Sequence, residues 1–289
     1  MTPVEYEFLC RFLKERSGLA LGPNKEYLVQ SRLGPIVRSS KLSSLSEMIA
    51  RLRNGSDHDM AEMVTEAMTT NESFFFRDKT PFDLLREHVL PEIVKASRGP
   101  RRLRIWCAAA STGQEPYSVA ITLKEMAAEL RGWSTEIVAT DISKAVLDRA
   151  KAGVYTQFEV QRGLPIKQLL AYFRKTDDMW ELDPGLRAMV RFEMLNLLKD
   201  FSRLGQFDIV LCRNVLIYFD EATKRDVLRR IAQRTQAGGY LMLGAAETIM
   251  GLNDQFKTVP GKQGLCALGT GSAGAVAPAP VAALRASSA

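Results

Sequence analysis

Cysteine is scarce in this chain. Cys10, Cys107, Cys212 and Cys266 lie far apart and form no C-x-x-C pair. Neither a disulfide framework nor a zinc site is expected, and a reducing compartment fits. Histidine is scarcer still. With only His58 and His88, catalysis built on a histidine base is not expected, and no metal is implied. No apolar run reaches membrane-spanning length. The start, MTPVEYEFLC, is acidic and lacks the basic opening of a signal peptide, so a cytoplasmic location is expected. G-x-G-x-x-G and G-x-x-x-x-G-K-[ST] are both missing, which argues against a dinucleotide and against a P-loop phosphate site. No internal repeat is visible.

What remains is an ordinary globular composition, 46% hydrophobic and 25% charged over 289 residues, long enough for one large domain and a smaller one. The net charge of +6 and pI near 9.2 suggest an acidic partner, either nucleic acid or an acidic protein surface.

The stretch RRLRIWCAAASTGQEPYS, residues 101–118, organises the chain. Leu103 to Cys107 form an apolar run suited to a buried parallel strand. A turn of small residues follows, then a helix-forming run from Pro116 through Arg131. Strand, small-residue turn and helix make a cradle in which a ligand approaches backbone N–H groups. Glu115 stands where a phosphate would sit and would repel one. It suits a ligand carrying an ammonium or sulfonium group, such as S-adenosylmethionine. It equally suits a plain first-turn acid, and both readings stay open on this stretch alone.

Before the cradle, residues 1 to about 70 read as helices only, within an N-terminal helical domain over 1–78. Gly34-Pro35 predicts a kink or break in the second. Met60, Met63, Val64, Ala67 and Met68 read as core filling on the fourth. In TTNESFFFRD (Thr69–Asp78), Phe74 to Phe76 need at least partial burial, which would hold Asn71, Ser73 and Arg77 rigidly. Residues 79–100 form a linker helix. After the cradle, a second strand ends in Asp141, which suits ribose hydroxyls or a helix N-cap. Residues 153–189 read as an insertion with a short helix and a hairpin. Further strands fall at Val190–Glu193, Phe207–Cys212 and Tyr240–Leu243. A charged helix spans Asp220–Arg234 and is ended by Gly238-Gly239. A closing strand pair surrounds Pro260-Gly261. Residues 269–289 are an Ala/Gly/Pro/Ser-rich tail, expected to be disordered.

Four motifs in this order, TTNESFFFRD, AAASTGQEPYS with ATDIS, LNLL, and FDIVLCRNVLIYF, resemble the chemotaxis receptor methyltransferase (CheR) family over about residues 1–268. The resemblance implies an α/β fold: a class I methyltransferase (Rossmann-like) sheet over 101–268, an N-terminal all-helical domain, and a small antiparallel β subdomain inserted at 153–189. It implies a monomeric enzyme that transfers the methyl group of S-adenosylmethionine to glutamate side chains on the cytoplasmic helices of chemoreceptors, leaving S-adenosylhomocysteine. Carried over position by position, the cofactor contacts fall on Asn71, Ser73, Arg77, Glu115, Asp141, Asn196, Leu197, Asn214 and Val215. Asn196 and Leu197 should flank the adenine, with backbone and side-chain amide reading its edge. Arg32 and Arg38 match basic positions on the family's receptor-facing helix. The insertion lacks the Gly-rich turn that accompanies binding of a receptor pentapeptide, so a pentapeptide-independent member is expected. Membranes would be met only through receptors.

A glutamate carboxylate is already ionised at neutral pH, so the reaction needs alignment and dehydration rather than a base. Arg77 and Tyr218 are the candidates at the reaction centre. A structural ion pair is the plainer role for Arg77, and a half-buried aromatic position for Tyr218. A nucleic-acid methyltransferase is disfavoured. Arg213-Asn214-Val215-Leu216 replaces the Asn/Asp-Pro-Pro-aromatic turn common in such enzymes, and no basic run is interleaved with aromatics. A cofactor-binding module without turnover is the third alternative.

Overall fold

The computed structural model describes residues 1–97 and 99–269. The tail expected from 269 onward lies outside the described residues apart from Gly269.

Four helices come first: α1 (Pro3–Ser17), α2 (Glu26–Ser39), α3 (Leu45–Asn54) and α4 (His58–Met68). Their starts are written in the sequence. Thr2 and Glu5 form a capping box on α1, Ser44 caps α3, and Asp57 caps α4. Leu9, Leu13, Val29, Leu33, Met48 and Val64 close one core between them. The expected break at Gly34-Pro35 does not occur. Helix α2 runs through Pro35, because Val29 and Leu33 before it and Ile36 and Val37 after it all pack on this core. In α4, Met60 and Met68 are buried as expected, but Met63 is 40% exposed.

Next come α5 (Thr80–Leu84) and α6 (Leu90–Ala96), joined by a π turn over Leu85–Val89. The Leu90 amide reaches back to the Leu85 carbonyl. Pro91 follows and has no N–H to give, so the wider turn absorbs the fault without ending the helix.

The sheet strands alternate with helices: β1 (Arg102–Ala108), α7 (Gln114–Glu125), β2 (Ser134–Asp141) and α8 (Lys144–Ala152). The cradle helix α7 thus begins two residues before Pro116 and stops six residues short of Arg131. An inserted unit contains β3 (Val154–Thr156), α9 (Gln157–Gln161), α10 (Ile166–Tyr172), β4 (Phe173–Thr176), β5 (Met179–Leu182) and α11 (Pro184–Ala188). Its three strands form their own antiparallel sheet, ordered β3-β5-β4. The main sheet resumes with β6 (Val190–Met194), β7 (Phe207–Cys212), α12 (Glu221–Arg234) and β8 (Thr235–Leu243). It closes with β9 (Phe256–Thr258) and β10 (Leu265–Leu268). Gly238 and Gly239 do not end α12. They sit inside β8, where the pairing with β7 shifts register between Phe207 and Ile209 and Gly238 takes a φ of +76°.

The seven strands run β6-β2-β1-β7-β8-β10-β9, with every pairing parallel except the two that β10 makes, with β8 and with β9. This is the class I methyltransferase arrangement. The two-residue period of the strands separates two cores. Ile105, Cys107, Ile137 and Ile209 face α7, while Trp106, Val138 and Val210 face α12. Trp106 is fully buried and its indole N–H donates to Thr140 Oγ1 at 2.9 Å. The chain leaves β1 toward β2 and β6, and later returns on the other side as β7 and β8. The order therefore reverses beside β1, which puts a ligand crevice at the carboxyl ends of β1, β2 and β7.

Candidate functional site

The crevice is a cleft of about 960 Å³ including its open mouth. Every cofactor position expected from the sequence lines it: Asn71, Ser73, Arg77, Glu115, Asp141, Asn196, Leu197, Asn214 and Val215, together with Tyr218. Arg32 and Arg38 are not among its walls.

The floor is the cradle turn. Ala109, Ser111 and Gly113 all adopt left-handed φ values, +61°, +50° and +95°. This alternation turns the chain sharply between β1 and α7 and is costly for the two non-glycine residues. Asp141 holds it. Its carboxylate accepts from the Ser111 N–H at 2.8 Å and the Ser143 N–H at 3.0 Å. Asp141 is therefore not the cap of α8. Ser143 does that, accepting from Val146. Burial pushes the Asp141 carboxyl up from its ordinary value, against the backbone donors.

Glu115 points into the cleft from the first turn of α7, its side chain 12% exposed. Burial pushes this carboxyl up too, opposed chiefly by Arg213. Arg213 is a residue the sequence reading left out. It follows β7 directly and its side chain is 1% exposed. Its guanidinium donates to Glu115 Oε2 at 2.8 Å, to Asp78 Oδ2 at 2.9 Å and to the Arg77 carbonyl at 2.7 Å. A charged residue at the end of an apolar strand was the available signal. Glu247 was missed as well. Its carboxylate accepts from the amides of Asn214 (2.7 Å), Val215 (3.0 Å), Leu216 (2.8 Å), Ile217 (3.3 Å) and Gly244 (2.8 Å). This fixes the turn that carries Asn214, itself left-handed at φ +58°, and Tyr218.

The segment 69–79 closes one side. Phe75 is fully buried while Phe74 and Phe76 are half-buried, and the Phe76 amide donates to Ser118 Oγ. Asn71 offers its carbonyl to Ser111 Oγ at 2.8 Å. Arg77 lies over the Phe74 ring and donates to the Glu72 carbonyl. Among the described residues it makes no ion pair, so the plain structural-pair role does not hold and donors remain for a ligand.

The opposite side is built by α1 and the loops after β6 and β7. Ser17, Leu19, Leu197, Val215 and Phe219 line it. The Asn196 side chain does not stand free to read a base edge, as expected. Its amide nitrogen donates to the Arg16 carbonyl at 2.6 Å and its oxygen accepts from Leu198. That leaves backbone groups for recognition. The Ala20 amide donates to the Tyr218 carbonyl. At Gly18, φ is +78° and a Cβ would lie 2.7 Å from the Phe219 ring, so only glycine lets α1 end so close to the cleft.

The walls thus combine two buried carboxylates, an apolar slot and backbone N–H groups. This donor set fits a molecule with a sulfonium and an ammonium near Glu115, ribose hydroxyls near Asp141 and a flat heterocycle between apolar side chains. It does not suit a polyphosphate.

Comparison with known proteins agrees. The model of the CheR methyltransferase SAM-binding domain matches residues 71–265, and that of the CheR methyltransferase all-alpha domain matches residues 4–69. Among curated relatives, chemotaxis protein methyltransferase 1 of Pseudomonas aeruginosa is 43% identical, over 90% of this chain and 96% of its own. Chemotaxis protein methyltransferase 1 of Vibrio cholerae is 42% identical, over 88% and 93%. The cofactor is therefore S-adenosylmethionine, and the chain belongs to the CheR methyltransferase family.

Proposed function

We propose that this protein methylates glutamate side chains of chemoreceptors, forming carboxyl methyl esters. The observation that carries the reading is a cleft holding two buried carboxylates for a cationic donor and, beside them, a guanidinium, Arg77, that has no carboxylate partner among the described residues.

S-adenosylmethionine supplies an electrophilic methyl group on a sulfonium. Glu115 holds the charged amino-acid end, Asp141 the ribose, and the backbone at Asn196–Leu197 and Asn214–Val215 the adenine, with Asn71 and Ser73 on the linker side. Arg77 orients the substrate carboxylate through one edge of its fork, which fixes direction without neutralising the nucleophile. Tyr218, half-buried at the mouth, completes the wall and donates to the same group. Cys107 and Cys212 take no part, since burial pushes both thiols well up. No general base is required.

The acidic partner follows from charge. At +6 the chain suits an acidic receptor helix, and Arg38 with Lys41 stands exposed on and after α2 to receive it. The β4–β5 hairpin turns tightly at Asp177-Asp178, with Asp177 left-handed at φ +54°. This short turn supports a pentapeptide-independent enzyme. No described helix is long and apolar enough to cross a membrane.

The test is transfer of labelled methyl from S-adenosylmethionine to receptor-containing membranes, with RNA in parallel. Label on receptor, released as methanol by mild base, supports the reading. Label on RNA, or cofactor bound with nothing labelled, overturns it.

A further inference from the structure

Arg32 lies on α2 and shares its helix with the exposed Arg38, yet its side chain is not presented to a partner. It reaches the end of α4 and the segment that enters the cleft. Nη1 donates to the Met68 carbonyl at 2.6 Å and to the Thr69 carbonyl at 2.9 Å, and Nη2 donates to Thr70 Oγ1 at 2.9 Å. The Met68 and Thr69 carbonyls belong to a helix end, where intrahelical donors run out. A planar guanidinium supplies two parallel donors there, which a lysine cannot.

The tethered residues lead straight into the site. Thr69 and Thr70 line the cleft. Thr69 Oγ1 donates to the Glu66 carbonyl at 2.6 Å and lies 3.3 Å from Asn71 Oδ1, and the Asn71 carbonyl accepts from Ser111 Oγ on the strained cradle turn. A second anchor fixes the same helix end from the other domain: Glu66 on α4 accepts from Ser143 Oγ and from the Ala145 amide at the start of α8. Arg32 and Glu66 together clamp the end of α4 over the carboxyl end of β2, where Asp141 sits. Between the clamp and Phe75, the next fully buried residue, Thr70 to Phe74 are all partly exposed.

We infer that Arg32 is a positioning residue for the cofactor: it holds residues 68–70 so that Asn71 and Ser73 meet the ligand, rather than contacting the receptor. This rests on the assignment of the cleft to S-adenosylmethionine.

The experiment is calorimetric titration of the purified full chain with S-adenosylmethionine in the absence of receptor, alongside its unfolding temperature. Arg32→Ala is expected to bind about tenfold more weakly than wild type, the scale on which one charge-assisted tether counts. Its unfolding temperature without ligand should stay within a few degrees of wild type, since the bonds are at a half-exposed helix end. Arg32→Lys, which keeps the charge but loses the fork, is expected to fall between the two. Should Arg32→Ala fail to fold, Arg32→Lys decides. Either variant binding as wild type while the KM for receptor rises overturns the proposal and returns Arg32 to the receptor surface. A wild-type chain that binds no S-adenosylmethionine overturns both this inference and the assignment of the cleft.

Discussion

Replacing Arg213 by methionine removes a cation buried under the cleft while keeping much of its volume. Its partners then diverge. Asp78 is 33% exposed and can rehydrate. Glu115 is 12% exposed and cannot, so it is left as an uncompensated buried acid. Breaking a buried pair in this way costs about 3–5 kcal/mol. The Arg77 carbonyl also loses its donor, which loosens the segment carrying Arg77. At about 2–4 °C per kcal/mol for a protein near this size, melting should fall by about 6–20 °C. The loss should be largest at high pH, because Glu115 is then ionised. Adding Glu115→Gln removes that charge, so the double variant should melt higher than Arg213→Met alone, a coupling that only neighbours show. Circular dichroism melts with and without S-adenosylmethionine measure both effects. An Arg213→Met protein that melts within about 2 °C of wild type would refute the reasoning. So would a double variant whose losses simply add.

Cofactor affinity should depend on pH in a defined direction. Burial raises the Glu115 and Asp141 carboxyls in the free protein, and a cationic ligand favours their ionised forms. Affinity is therefore full above the raised values and falls as the pH drops through them; each raised group makes the free fold less stable once the pH exceeds its unfolded value. Titrations across mildly acidic pH check this, and affinity that rises on acidification would contradict it. Glu247→Gln leaves one acceptor oxygen for five amides, so methyl transfer should drop by about tenfold or more with a smaller loss of cofactor binding; equal losses in both would place Glu247 outside the turn's positioning. Gly18→Ala forces a methyl onto the Phe219 ring at a left-handed φ and should cost at least about 1 kcal/mol, together with weaker cofactor binding, readable by melting and titration. Arg77→Ala should fold and bind cofactor yet transfer methyl far more slowly, and near-normal transfer would remove Arg77 from the reaction centre.

The sheet was legible because its strands are apolar runs bounded by turn residues: Phe207–Cys212 falls where the sequence puts it. Burial of Phe75 was legible from three aromatics in a row. Other features depend on what lies across space. Pro35 breaks an isolated helix, but a core touching both sides of it keeps α2 continuous. Gly238-Gly239 reads as a helix stop, yet the neighbouring strand β7 draws the pair into a bulge. Arg213 and Glu247 are single charged residues whose meaning comes from partners 98 and 33 positions away. The Asn196 amide was assigned to a ligand because nothing local shows the Arg16 carbonyl, 180 residues distant, that takes it.

The most direct test of the account is peptide mapping by mass spectrometry of receptors incubated with this protein and S-adenosylmethionine. Methyl groups confined to glutamate side chains of the cytoplasmic helices, and lost on brief exposure to mild base, are the predicted result. Base-stable methylation, or methyl groups on any residue other than glutamate, would contradict it.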